Sequence, residues 1–455
     1  MRLNPSPVSL ASLPWCALLC AALTMGCLIG PPVPPGPPPG VCGGLEQGAA
    51  NSIHVALSPS GELLYPGFVA VSVPPPTFAP CPGGYTSPQL QDVNLTGPDG
   101  QVLTSNLVQH PTSDDFTFLF EAASAGTYTA TFAYAPDAAT GKPPLLYEVR
   151  VHVVRDRAAD ATVVRLPYAC TDLQRTSRGT WLCDAAVIRE GVLVEQLEAG
   201  WLYTVQDDTV WGASKDGGRF VRWVDTGQGP LVRLASAEST FTHPDFQLLN
   251  FTVEGDSVFM RYTSWLSGFT LAPDGTLQHV SHMNLGTYFP RGFARRGNRL
   301  LIARPLVDAA DSESRLCTYG VVTNPDKPIG PCVQGFSAGM TEEGVWFTQP
   351  GPLPGQKDSV PLVLWLPGEE GLVKVREFHG PGTVQFNTTT HSGMPVFQYT
   401  NPDGTVSTLL PVLEDNGTTT LHAFQLQGRF RGARRDFVWG EGVTPNGSSS
   451  IIYLR

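Results

Sequence analysis

From about Ser52 to Arg455 the chain is written in short runs of alternating apolar and polar residues, broken by Gly, Pro, Asn and Asp. Period-two alternation places successive side chains on opposite faces of a strand, so the pattern predicts half-buried strands joined by tight turns. Residues 52–157 hold seven such runs: Ile53 to Leu57, Phe68 to Val73, Val93 to Leu95, Val102 to Leu107, Phe116 to Phe120, Tyr128 to Tyr134 and Tyr147 to Val154. Beyond Ala161 the pattern repeats as strand, turn, bulky apolar strand, loop, strand, turn, strand. Its second strand is anchored at Val210, Val258, Leu300, Val345, Val396 and Phe437, with spacings of 48, 42, 45, 51 and 41 residues.

A period of this size built only of strands resembles the β-propeller, in which each repeat is one four-stranded blade. Val163 to Leu197 reads as a partial blade, and the chain stops after three strands of the last repeat. Thr162 to Leu166 is therefore expected to supply a missing strand and close the ring, removing exposed edges. Six or seven blades follow. Seven strands within residues 52–157 resemble an immunoglobulin-like sandwich, and Ala125-Gly126-Thr127-Tyr128 resembles the tyrosine corner of such domains, with Ala130 where immunoglobulins proper carry a cysteine. The expected fold is all-β: an Ig-like sandwich over 52–157 followed by a six- or seven-bladed β-propeller over 158–455.

Charge changes the picture at the N-terminus. Arg2 is the only charged residue before residue 45, and Leu10 to Leu23 form an apolar run of signal-peptide length. The run ends in Leu23-Thr24-Met25-Gly26-Cys27, which resembles a bacterial lipobox with Leu one place too far upstream. The resemblance implies a signal peptide over 1–27, lipidation at Cys27 and, because Leu28 is not Asp, an outer-membrane lipoprotein. An uncleaved helix from Leu10 to Ile29 and cleavage without lipidation are the competing readings. Seven prolines in Pro31 to Gly40 make residues 28–51 an extended tether.

Of nine cysteines, Cys16 and Cys20 lie in the apolar run and Cys27 at its end. Proximity in an oxidising compartment pairs the other six as Cys42 with Cys81, Cys170 with Cys183, and Cys317 with Cys332. No cysteine or histidine spacing fits a metal site, so no metal or cofactor is expected. With 29 basic against 40 acidic residues, the chain offers no general attraction for a phosphate backbone, and nucleic acid is not an expected partner.

Three motifs invite a chemical reading. Gly335-Phe-Ser-Ala-Gly339 matches the nucleophile elbow of α/β-hydrolases, but a strand and turn follow it where a helix is required. Ser214-Lys-Asp-Gly-Gly-Arg219 resembles the Asp-box turn of sialidase-like propellers, which is structural. Pro-Asp-Gly units ending at Gly100, Gly275 and Gly404 read as β-turns. Propeller ligands sit over the channel, at loops leading into innermost strands. His243, Arg291 and Arg429 are the candidate binding residues there, and no acid accompanies them. The expected function is an exported, membrane-anchored binding or scaffold protein of the cell envelope, holding a protein or glycan at the propeller face. The alternative is a propeller glycoside hydrolase or lyase acting on envelope polysaccharide.

Overall fold

The computed structural model describes residues 52–76, 78, 89–109, 116–135, 144–238, 247–262, 265–272, 276–284, 292–306, 313–320, 327–341, 344–348, 358–387, 393–444 and 447–455. The signal segment 1–27, the tether 28–51, Cys27, Cys42, Cys81, His243 and Arg291 lie outside the described residues. Among the described residues every regular element is a strand, and no helix is long and apolar enough to cross a membrane. The chain divides into two compact units, a smaller one of Met1–Gln47, Thr77–Gln91 and Ala133–Leu145 and a larger one holding the rest. In the smaller unit Phe78 and Tyr134 meet edge to face, with ring centroids 5.4 Å apart.

The larger unit begins with eight strands: β1 (Ser52–Val55), β2 (Gly67–Val73), β3 (Gln89–Thr96), β4 (Val102–Leu103), β5 (Ser105–Gln109), β6 (Phe116–Ala122), β7 (Gly126–Ala135) and β8 (Leu145–Val153). They form two sheets, ordered β1-β8-β7-β3-β4 and β2-β6-β5, with β1 parallel to β8. Alternate residues of each face inward: Val69, Val71, Phe118 and Phe120 on one sheet, Tyr128, Phe132, Val149 and Val151 on the other, all buried. Phe118 meets Phe132 across the gap at 5.8 Å. The Tyr128 hydroxyl donates to the Ser124 carbonyl at 2.9 Å and accepts from the Ser124 amide at 3.2 Å, fixing the turn into β7.

After β9 (Arg155–Asp156) and β10 (Thr162–Leu166) come sheets of up-and-down strands. The first is β11 (Leu173–Arg175), β12 (Trp181–Cys183), β13 (Ala186–Arg189) and β14 (Val192–Gln196). The second is β15 (Trp201–Gln206), β16 (Thr209–Ser214), β17 (Arg219–Val224) and β18 (Val232–Glu238). The third is β19 (Leu248–Glu254), β20 (Ser257–Tyr262), β21 (Trp265–Leu271) and β22 (Leu277–Asn284). The fourth is β23 (Gly292–Arg296), β24 (Arg299–Pro305), β25 (Glu313–Gly320) and the first half of β26 (Ile329–Thr341). The second half of β26 opens the fifth, with β27 (Gly344–Thr348), β28 (Val360–Gly368) and β29 (Gly371–Gly380). The sixth is β30 (Thr383–Gln385), β31 (Val396–Thr400), β32 (Val406–Leu413) and β33 (Thr419–Gln425), with β9 added parallel to β33. The last is β34 (Arg429–Arg434), β35 (Phe437–Thr444), β36 (Gly447–Leu454) and β10, which pairs antiparallel with β36.

Every repeat anchor found in the sequence falls on the second strand of its sheet. Second strands such as Val258-Phe-Met-Arg-Tyr262 are apolar on both faces because each sheet has a neighbour on both sides. Trp211 and Phe220 of the second sheet pack with Phe251 and Met260 of the third, and Phe259 and Met283 of the third pack with Phe293 and Ile302 of the fourth. The chain of clusters continues around to Phe437 and Trp439 of the last sheet, which pack on Leu173 and Trp181 of the first. Fourth strands, at the outer edge, leave Val192, Val232, Val280 and Val373 exposed. This is a propeller-like order of sheets, closed by the first strand of the region against the last.

One expectation differs. Residues Val163 to Leu197 are not a partial blade: β10 belongs to the closing sheet, and β11 to β14 make a complete four-stranded sheet of their own. Their strands are short, down to three residues, so each carries too little alternation to register as a strand. Gly335 to Gly339 run inside β26, which continues to Thr341, so no strand-to-helix turn exists there. The Ser214 to Arg219 turn is held as expected: the Gly218 amide donates to Asp216 Oδ1 at 2.9 Å and the Arg219 amide to Ser214 Oγ at 2.9 Å. Gly217 stands there at φ +69°, where a Cβ would strike the Tyr262 ring.

Two of the disulfides read from the sequence are formed. Cys170 and Cys183 join the approach to β11 with β12, Cα atoms 5.1 Å apart, and Cys317 and Cys332 join β25 with β26, Cα atoms 4.7 Å apart.

Candidate functional site

First strands line the inside of the ring: β11 contacts β15, and β15 contacts β19. Gln174 of β11 donates to the Tyr203 carbonyl and accepts from the Val205 amide on β15, and Gln206 of β15 donates to the Val253 carbonyl on β19. The end of the ring at which first strands begin is the mouth, where ligand contacts were expected. Of the three residues singled out there, Arg429 opens β34 and is exposed. It stands opposite Glu441 in register, and Arg431 engages the same carboxylate, holding it below its ordinary pKa. Arg429 is therefore placed beside an acid.

A second arginine group at the mouth end was not found from the sequence. Arg261 lies one residue from the end of β20, opposite Asn250 near the start of β19, and opposite Leu266 of β21, which is itself opposite Met283 of β22. Directly opposed residues of antiparallel strands share a face, so Arg261, Leu266 and Met283 form one row toward the fourth sheet. From that sheet Arg304, next to Ala303 and therefore level with the start of β23, brings Nη2 to 4.0 Å from Met283 Sδ. Its guanidinium lies over Tyr319 at 4.8 Å. Arg315 stands directly opposite Arg304 on β25 and is exposed.

Arg261 is 4% exposed, and its Nε and Nη1 are sealed from solvent with no hydrogen-bond partner; Arg304 Nε is likewise sealed and unpartnered. Burial alone pulls the Arg261 pKa down to about 10, which leaves it charged at neutral pH. Among the described residues no carboxylate forms an ion pair with Arg261, Arg304 or Arg315, and Glu313, two places before Arg315, makes none with either neighbour. Two half-buried arginines elsewhere are paired, Arg189 with the fully buried Asp225 at 2.7 Å and Arg434 with Asp172 at 2.6 Å, whereas Arg222, over Trp211, also has a sealed and unpartnered Nε. An uncompensated buried charge costs about 3–5 kcal/mol. One trace was present in the sequence. Three places after its anchor the third repeat carries Arg261, where others carry Ala213, Thr348 and Gly440.

A different polar cluster sits where the N-terminal sheets meet the fifth sheet. His54 of β1, His152 of β8 and His379 of β29 stack plane on plane, with centroids 3.3 Å apart for His54 and His379 and 5.1 Å for His54 and His152. His54 Nδ1 and His152 Nε2 share a hydrogen bond of 2.8 Å, and Thr127 Oγ1 reaches His152 Nδ1 at 3.1 Å. Glu377 Oε1 lies 3.4 Å from His379 Nε2, and Lys374 binds its other oxygen. Burial, then neighbouring His152, His379 and Arg150, lower the His54 pKa to about 2, and burial with His379 and Arg150 lowers His152 well below its ordinary value. The His54 and His152 rings are neutral. Ring lone pairs lie in the ring planes, so stacked rings do not converge on a point, and among the described residues no group is arranged to hold a metal ion.

No protein-family model and no curated protein matches the chain. Solved structures similar to parts of it include apo AztD from Citrobacter koseri, with 12% identity over 57% of this chain and 72% of that one, TM-score 0.33. The periplasmic gluconolactonase PpgL of Pseudomonas aeruginosa shares 12% identity over 65% of this chain and 99% of its own, TM-score 0.29. The WD40 domain of Toxoplasma gondii coronin shares 10% over 73% and 77%, TM-score 0.28. At these scores the likenesses carry no argument, and the fold rests on the strand pairings themselves.

Proposed function

We propose that this chain is an exported, ligand-binding module of the cell envelope, lipid-anchored at Cys27, in which an immunoglobulin-like sandwich over 52–157 carries a seven-bladed propeller over 158–455. The parallel pairing of β1 with β8 and the Tyr128 corner support the sandwich. Apolar clusters that link each four-stranded sheet to the next, and the last to the first, support seven blades. Buried disulfides Cys170–Cys183 and Cys317–Cys332 support an oxidising compartment.

Arg261 carries the binding reading. A charge buried at the mouth end without a partner among the described residues is a group that a ligand completes. Incubation of the purified protein with envelope polysaccharides tests it. Saturable binding with the polysaccharide recovered at unchanged length is expected. Shortened or unsaturated products would replace the binder with a hydrolase or lyase. Anchorage is tested separately by Cys27→Ser, which is expected to leave the membrane fraction; a variant that still sediments in the same mature form would remove lipid as the anchor.

A further inference from the structure

The geometry points to an oxyanion site between the third and fourth sheets, in which Arg261 and Arg304 clamp the carboxylate or phosphate group of an acidic ligand and Arg315 lines the approach. This rests on the reading of the chain as a ligand binder and names the chemistry of what it binds.

Three observations converge. Arg261 is held in an apolar row by Leu266 and Met283, and Phe259 two residues earlier packs in the same inter-sheet cluster, with Nε and Nη1 sealed from water. Arg304 enters that cluster from the opposite sheet, against Met283 and over Tyr319, so both guanidinium groups border Met283, and among the described residues no acid pairs with either. Arg315 is set directly across from Arg304, and like charges directly opposed in a sheet repel. A fold assembled for stability alone would place an acid in this row, as it does at Arg189 with Asp225 and at Arg434 with Asp172. An oxyanion supplies what is missing. Its oxygens accept from the unpartnered Nε or Nη1 of Arg261, which face different sides of that guanidinium, and from Nε of Arg304, and it neutralises the charge that burial penalises.

The row lies at the end of β20 and β24, level with the starts of β19 and β23. A ligand seated there is therefore held at the mouth, with its anionic group turned between two sheets.

The test is titration calorimetry of the purified full chain with sodium phosphate and, separately, sodium acetate, at constant ionic strength in chloride. Saturable binding of phosphate alone assigns a phosphate-bearing ligand, and of acetate a carboxylate-bearing one; absence of both overturns the site. Arg261→Met is expected to weaken binding at least tenfold and Arg304→Gln about fivefold, while Arg178→Gln, an exposed arginine paired with Asp208, leaves it unchanged. Unaltered affinity in Arg261→Met overturns the proposal. Should that variant not fold, unaltered affinity in Arg304→Gln does the same. Absence of anion binding beside intact polysaccharide binding removes this site and leaves the binder standing; anion binding beside polysaccharide cleavage does the reverse.

Discussion

His54, His152 and His379 stack on one another where the N-terminal sheets meet the fifth sheet, and His54 and His152 lie there as neutral rings. Arg261, equally buried between the third and fourth sheets, has no such route, because a guanidinium keeps its proton even when burial lowers its pKa to about 10. The histidines share a hydrogen bond, take another from Thr127 and have Glu377 alongside. The arginine has Leu266 and Met283. Both lie on strands with apolar neighbours, so the difference lies in what completes each group. The junction stacks its rings and sets Glu377 beside them, though His379 Nδ1 and Nε2 keep no hydrogen-bond partner, while the arginine row has no acid alongside, which the proposed anion supplies.

The sharpest contrast within one residue type is between Arg261 and Arg189. Asp225, fully buried, accepts from Arg189 Nη2 at 2.7 Å, from Thr176 Oγ1 at 2.6 Å and from the Gly227 amide at 2.8 Å. Asp225→Ala converts Arg189 into a second uncompensated arginine, and denaturant unfolding is expected to show a loss of about 3–5 kcal/mol. A loss under about 1 kcal/mol would mean that an unpartnered buried arginine is cheap in this fold, and the comparison would fail.

Acid should separate the two regions next. The folded-state pKa values of His54 and His152 lie below the unfolded value of 6.5, so below that pH the unfolded chain binds protons that the folded chain refuses. Stability is full well above pH 6.5 and falls as pH drops, by about 2 kcal/mol at pH 5 for His54 alone, and His152 adds a loss in the same direction. Glu377, lowered to about 2 chiefly by its contact with His379, adds a loss in the same direction below about pH 4.5. Unfolding at pH 6.5 and 5, with His54→Gln/His152→Gln as the reference, is expected to show the fall in the native sequence and a flatter profile in the variant. Arg261 does not titrate in this window, so anion affinity should not follow the histidine profile.

How much of this was legible in the sequence differs by level. Repeat anchors at Val210, Val258, Leu300, Val345, Val396 and Phe437 were readable because a second strand buried on both faces is an unbroken apolar run. Closure by Thr162 to Leu166 followed from a simple count of strands in the final repeat. The first complete sheet was missed because three-residue strands such as Leu173–Arg175 hold barely one alternation. Neither polar cluster could be read. The histidines come from positions 54, 152 and 379, and meet only through the packing of β1 and β8 against β29. The arginine row depends on register, since Arg261 opposes Leu266 and not its neighbours. His243, Arg291 and Arg429 were the residues expected at the mouth, and of these only Arg429 lies among the described residues, beside Glu441.

A smaller effect calibrates what a satisfied group contributes. Tyr128→Phe removes a hydroxyl that both donates to and accepts from Ser124 in a fully buried ring, and is expected to cost about 1 kcal/mol in denaturant unfolding. No change would show that the turn into β7 is held by packing alone.

Differential scanning calorimetry of Arg261→Met against the native sequence, in chloride buffer without phosphate or carboxylate, bears most directly on the claim that the arginine row is completed from outside the protein. Replacing an uncompensated buried charge with an apolar side chain of similar length relieves its desolvation, so the variant is expected to melt higher, by about 2 °C or more. A variant that melts several degrees lower would show that Arg261 already has a stabilising partner within the fold, and would contradict the account.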